Sequence, residues 1–284
     1  MRTPWTGQAL GVCCKKGNEW LDYLGRLDGH GFEHIELNIA DVSPRSPIYD
    51  PAYRARVKRA VGELGLGVSL HCIGGTNLAE KVDRIRQVSL DIACEAVEVA
   101  DALGARWVTL HLGTAGISNA DPARKRTRLA LVVDSIEQIL ARTAGSTVQL
   151  GLENLPRLPE TQALSRLGDC AEELAIVLGG LPSPRVGVVF DLGHARINRP
   201  TDQHVRDFLA AVGARVIGFH LHWNDGREDL HAPLEIAARD ELCGYLAAIG
   251  RSLHHPAPVL LECHSLADNL ACADVLRQLA ASAA

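Results

Sequence analysis

Seven of the twelve histidines, at 71, 111, 194, 220, 222, 231 and 264, fall at or just after the end of a short apolar run. Glu153, Asp191 and Glu262 sit at the ends of three such runs, and Asp229-Leu230-His231 follows the seventh. A run of Val, Leu and Ile has no packing reason to finish on His or Glu, because burying such a group without a partner is costly. Gathered together, His71, His111, Glu153, Asp191, His194, His222, Asp229, His231 and Glu262 form a nitrogen and carboxylate-oxygen donor set without thiolate. Such a set suits Zn²⁺ or Mn²⁺, and its excess of His argues against Mg²⁺ or Ca²⁺. It exceeds the ligands of one tetrahedral zinc, so up to three ions sharing a bridging carboxylate are expected, with Glu153 as the bridge.

The positioning elements follow from the pattern. Eight short runs, at 9–14, 34–38, 67–71, 107–111, 148–154, 186–191, 216–222 and 258–264, alternate with stretches of helical period. Their spacing suits one strand, one helix and two loops per unit, which predicts a single (β/α)8 TIM barrel, an α/β fold, over residues 1–284. A doubly wound open sheet would want a Gly-rich phosphate loop after an early strand, and the sequence has none. Asp50-Pro51 and Asp121-Pro122 predict helix starts. Leu78, Val82, Ile85, Val88, Ile92, Ala96, Val99 and Leu103 predict the buried stripe of one long helix.

In a barrel, catalytic groups belong at the C-terminal strand ends. Alternation turns His220, His222 and Glu36 inward and turns Cys72 and Cys263 away from the lumen. His222, nearer the mouth, reads as the ligand, and His220 as a group behind it or a substrate contact. Glu36 reads either as bonded to a neighbouring loop or as touching substrate.

Composition limits the partners. With 47% hydrophobic and 22% charged residues the chain is a folded globular protein. A net charge of −5 offers no field for a phosphate backbone, so nucleic acid is disfavoured. Arg124, Lys125, Arg126 and Arg128 read as a solvated helix face, with a phosphate patch as the alternative. The eight Cys lack any C-x-x-C pair and read as buried thiols. Neither an 18-residue apolar run nor a secretory leader is evident, so no membrane association and a cytoplasmic location are expected.

The segments SLHCIGGTNLA (69–79), VTLHLG (108–113), GLENLP (151–156), VVFDLGHA (188–195), HWND (222–225), DLH (229–231) and PVLLECH (258–264) together resemble the xylose isomerase-like barrel superfamily, which contains endonuclease IV and sugar epimerases and isomerases. Similarity to endonuclease IV implies all nine residues above as metal ligands. Similarity to the sugar enzymes implies a smaller set, Glu153, Asp191, His222 and Glu262, around one ion, with His194 close to the substrate. The segment GFEHIEL (31–37) looks like the second strand of the sugar-active branch. Trp223 stands where many of those relatives carry Asp, so with Glu36 and His220 it completes the expected substrate contacts.

The expected function is a metal-dependent isomerase or epimerase of a small sugar-like substrate, with Glu153 and Glu262 as the acid/base pair and His194 beside them. The alternative is a multi-zinc phosphodiesterase. The resemblance also leaves room for a homo-oligomer.

Overall fold

A computed structural model describes residues 8–15, 19–116, 121–159, 163–252 and 255–281. The first seven residues, part of the start read for a leader, lie outside them. Eight parallel strands close into a barrel: β1 (Leu10–Cys14), β2 (His34–Asn38), β3 (Gly67–His71), β4 (Trp107–Leu110), β5 (Gln149–Glu153), β6 (Val186–Asp191), β7 (Val216–Leu221) and β8 (Val259–Leu261). Each pairs with its neighbours in sequence, and β8 closes onto β1 through Leu10, Gly11 and Val12. The flanking helices are α1 (Trp20–Leu24), α2 (Pro51–Glu63), α3 (Asp83–Leu103), α4 (Pro122–Arg142), α5 (Ala171–Gly180), α6 (Leu192–Asn198), α7 (Asp202–Val212), α8 (Arg239–Ser252) and α9 (Leu266–Ala281). A two-residue antiparallel ribbon, Thr114–Ala115 against Ser165–Arg166, rises from the loops after β4 and β5. No helix among the described residues is long and apolar enough to cross a membrane.

The outward faces of the strands pack on the helices in one continuous core, while the lumen has its own small apolar floor of Cys13, Trp107, Val189 and Leu260, edged by Ile217. Trp107 fits because β5 and β7 carry glycine beside it. A Cβ on Gly151 would lie 2.7 Å from Val189 Cγ2, and one on Gly218 would lie 2.9 Å from the indole. With the floor plugged, every inward residue above it must be polar or reach the mouth.

Both predicted helix starts are present: Asp50 accepts from Ala52 N at 2.9 Å and Asp121 from Arg124 N at 3.0 Å. The stripe predicted for the long helix holds only in its second half. Ala96, Val99 and Leu103 are buried, but Ile85 and Val88 are 57% and 56% exposed, Val82 also faces out, and the helix begins at Asp83. The buried face of the first turns runs instead through Arg86, Ser89, Leu90 and Ala93. Arg86 pairs with Asp83 at 2.9 Å and the Ser89 hydroxyl accepts from Asn77 N at 3.0 Å, so polar side chains with partners occupy a face that counting apolar residues assigns elsewhere.

The basic run on α4 also divides. Arg124 and Arg126 are exposed, whereas Lys125 is buried with Nζ 2.6 Å from Glu173 Oε1 and 3.2 Å from Asp169 Oδ2. Arg157 Nε adds a 3.4 Å contact to Asp169, and the Glu173 carboxylate accepts from Gly168 N at 2.8 Å. Lys125 therefore ties the loop after β5 to α4 and is removed from any phosphate patch. Breaking a buried ion pair from one side leaves uncompensated charge, so Lys125→Met should cost about 3–5 kcal/mol in urea unfolding. Arg124→Ala should stay within about 0.5 kcal/mol; equal effects of the two would contradict the ion-cluster reading.

Candidate metal centre

Strand parity and register stack the inward polar groups in layers above Trp107. Glu36, Ser69 and Thr109 form a completely buried layer; His220, in register with Asp191, joins it to Glu153 and Asp191, which end β5 and β6, and to Glu262 just past β8; the remaining clustered histidines and Asp229 form the rim. Glu153, Glu262, His71, His111, His194, His231 and Asp229, together with Lys15, Asn38 and the Gly74-Gly75 loop, line a cavity of about 760 Å³, and Asp191 and His222 lie buried outside that lining.

Several overlapping groups of potential ligand atoms form there, each with its members within 4.8 Å of one another, and three of them between them hold all the ligands singled out in the sequence. The first is His71, His111 and Glu153, with the two Nε2 atoms 3.2 and 2.9 Å from Glu153 Oε2. The second is Glu153, Asp191, His220 and Glu262. The third is His194, His222, Asp229 and His231. Glu153 belongs to the first two, and all nine residues singled out in the sequence fall in one of the three.

The division between the two strand-7 histidines differs from the sequence expectation. His220 joins the three acids, with Nδ1 3.1 Å from both Glu153 Oε1 and Glu262 Oε2, while His222 belongs to the third group. The reason is register: His220 pairs directly with Asp191 across β6 and β7, and His222, one pleat higher, reaches the rim. The expected substrate contacts also differ. Glu36, His220 and Trp223 are all buried and none is among the described residues lining the cavity. Glu36 bonds His220, Ser69 and Thr109 rather than a neighbouring loop, and the Arg196 guanidinium lies over the Trp223 ring, 4.3 Å from its centre.

Local backbone orients the donors. Asp191 ends β6 and caps α6, accepting from His194 N at 2.6 Å, which sets His194 beside it. Asn154 locks the neighbouring strand end, donating to Asp191 O at 2.8 Å and accepting from Asp191 N at 2.7 Å. Four imidazoles donate Nδ1–H to backbone carbonyls: His71 to Cys72 and His194 to Asn154 at 2.8 Å, His231 to Glu262 at 2.8 Å, and His222 to Trp223 at 3.4 Å. Each then presents Nε2 to the cluster, the arrangement that fixes a metal-binding tautomer. His231 achieves this at φ +44°, in the left-handed region that a non-glycine residue adopts at a cost.

The residues fit a cation. Asp191 Oδ2 and His222 Nε2 are buried and make no hydrogen bond, and Glu262 Oε2 has only a shared approach from His220 Nδ1 at 3.1 Å, so buried acceptor lone pairs remain that a cation would take up. Without a cation, protons do part of the compensation. Burial disfavours the charged form of each group, yet His220, His111 and His71 outweigh it and hold Glu153 well below the usual carboxylate range. Lys15 and His220 do the same for Glu262. The acids in turn raise the imidazoles against their own desolvation: His220 well above its usual value through Glu262 and Glu36, and His194 to about 10 through Asp191 and Asp229.

Two contributors were missed in the sequence. Lys15 lies one residue past β1, with Nζ 2.7 Å from Glu262 Oε1, and the strand-end rule applied to His and acids would have found it had it been extended to Lys. Asn154, next to Glu153, carries no signal of its own beyond that adjacency.

Known proteins with this architecture carry both chemistries. The chain is 28% identical over 174 residues to an uncharacterized protein of Methanocaldococcus jannaschii, covering 58% of this chain and 59% of that protein. It is 26% identical over 191 residues to a probable endonuclease 4 of Thermoplasma volcanium, covering 62% and 60%. The chain thus spans well under two thirds of the length of the curated relatives it matches. Among solved structures, a D-tagatose 3-epimerase-like protein superposes with a TM-score of 0.78 at 20% identity, over 95% of this chain and 96% of that one. Endonuclease IV from Thermus thermophilus does so with 0.70 at 20%, over 96% and 98%. At such identities these two likenesses speak for the fold alone. The family described as xylose isomerase-like TIM barrel matches residues 25–250, and the chain belongs to that family.

Proposed function

We propose that the protein is a metal-dependent isomerase or epimerase of a small polyhydroxylated carbonyl compound, bound in the barrel mouth. The observation that carries this reading is that Glu153 and Glu262, from strands far apart around the barrel, meet in one four-residue ligand group with Asp191 and His220, and both line the cavity. Those four residues would hold a divalent ion, Mn²⁺ or Zn²⁺. Such an ion would polarise a carbonyl and its neighbouring hydroxyl and acidify the C–H between them. One carboxylate removes that proton and the other returns one, to the opposite face of the same carbon for epimerisation or to the neighbouring carbon for isomerisation. His194, which lines the cavity, bonds a substrate oxygen, and Lys15 keeps Glu262 ionised to accept a proton.

A second reading, hydrolysis of a phosphate ester by two or three bridged zinc ions, is favoured by one specific observation. Proton transfer at carbon needs only the four-residue group, yet His194, His222, Asp229 and His231 form another, and Glu153 links a third. The internal pairing of Lys125 weighs against a long nucleic-acid substrate.

Exposure of a panel of free and phosphorylated ketoses to the enzyme in D₂O should give deuterium at carbon, detected by NMR. Glu153→Gln should abolish this by a factor of at least about 100 and lower the bound metal. Cleavage of an abasic-site duplex or phosphodiester without any carbon exchange, with near three zincs per chain, would transfer the assignment to the hydrolase.

Metal loading should also release protons. The raised imidazole of His220 carries protons on both nitrogens near neutral pH in the metal-free chain and must give one up to act as a ligand, as must His194 where its own group also takes an ion, so apparent affinity rises with pH. Calorimetric titration with zinc at about pH 7 in buffers of different ionisation heat should report roughly one or more protons released per ion. Identical heats in all buffers would contradict the assignment of these histidines as ligands.

A further inference from the structure

His220 is the exception among the clustered histidines whose ring contacts are described. His71, His194, His222 and His231 tie Nδ1 to a backbone carbonyl and turn Nε2 inward, whereas His220 turns Nδ1 to the acids and buries Nε2 against Glu36 Oε1 at 2.8 Å. We propose that Glu36 is a positioning residue that fixes the His220 ring with Nε2 protonated, so that Nδ1 is the nitrogen offered to a metal ion. The inference rests on the metal reading above and goes beyond it, because Glu36 lies outside the cavity lining and outside the four-residue group that would hold the ion.

The hydrogen-bond directions are determined from below. The indole Nε1–H of Trp107 can only donate, and it lies 3.1 Å from Thr109 Oγ1. Thr109 therefore accepts there and spends its own proton on Glu36 Oε2 at 2.8 Å. Ser69 donates to the same oxygen at 3.1 Å, with His34 Nε2 at 3.1 Å from the Ser69 hydroxyl and the His34 ring stacked on Trp107. Two hydroxyl donors thus occupy Oε2, and Oε1 is left to accept from His220 Nε2. Glu36, Ser69, Thr109 and His220 are completely buried, so water offers no competing partner. A neutral imidazole can carry its proton on either nitrogen; an ionised Glu36 beneath it accepts only from N–H, which holds the proton on Nε2 and leaves the Nδ1 lone pair on the side of the acids. Burying a carboxylate this deep is costly without compensation, and the group it faces is a completely buried imidazole whose outer nitrogen bonds a carboxylate where those of His71, His194, His222 and His231 bond backbone carbonyls.

The test uses the full chain loaded with ¹¹³Cd²⁺ and carrying ¹⁵N-labelled histidine. The His220 Nδ1 resonance should show coupling to cadmium, and its Nε2 should retain a proton that correlates with Nε2 in a ¹H–¹⁵N spectrum. In parallel, E36Q should bind zinc about 10–100-fold more weakly than wild type in competition with a chromophoric chelator. T109V, which removes one donor to Glu36 and leaves its charge, should lose less. Coupling to Nε2 in the wild type overturns the proposal even if E36Q fails to fold, and so does a folded E36Q with wild-type zinc affinity. A wild-type chain that binds no zinc or cadmium would overturn the metal reading itself, an outcome distinct from unchanged binding by E36Q.

Discussion

Glu153, Asp191 and Glu262 bring three carboxyl groups into one buried pocket, and the upper barrel is organised around compensating that charge. Two unit charges about 4 Å apart repel by ~4 kcal/mol at the effective dielectric of a protein near its surface, and more in the interior. Histidines at the ends of β3 and β7, in α6 and in the loop before β8, together with Lys15 after β1, face these acids, and Glu36 supports one of them from below. Even so, Asp191 Oδ2 makes no hydrogen bond, with His220 Nδ1 no nearer than 3.8 Å. Imidazolium alone thus neutralises the site without saturating it, which is the condition a divalent cation would complete.

The apolar floor makes this concentration of charge tolerable. Trp107, seated against Gly151 and Gly218, closes the lumen below and supplies the indole proton from which the hydrogen-bond directions of the lower layer follow. The stability of the barrel and the orientation of its ligands therefore share one side chain. Above the acids, His71 and His222 bond the carbonyl of the next residue and His194 and His231 bond carbonyls of other strand ends, so the mouth is preorganised by backbone contacts.

Much of the fold was legible because its determinants are local. Strand ends at Asn38, His71 and Asp191 coincide with the runs read from the sequence, and the aspartate caps at Asp50 and Asp121 start helices where they should. What escaped depends on register and on partners distant in sequence. Parity puts His220 and His222 on one face but cannot say which stands level with Asp191. Glu36 meets His220 across 184 residues, and Lys125 meets Glu173 only after α4 and α5 pack. The stripe on α3 failed for the same reason, since Arg86 and Ser89 are buried only by virtue of partners that periodicity does not count.

Shared Glu153 is where the two chemistries of this family diverge. It belongs both to the group with His71 and His111 and to the group with Asp191, His220 and Glu262, so it would be a ligand in either chemistry, and a proton carrier in the isomerase, where an ion would supply the polarisation. The direct observation is therefore of ions in place. Anomalous-difference diffraction from crystals soaked in zinc or manganese, recorded on either side of the absorption edge, should show a peak bounded by Glu153, Asp191, His220 and Glu262. Ordered side chains in their present positions with no anomalous peak among them after soaking would contradict the view that this barrel gathers its buried acids around a cation.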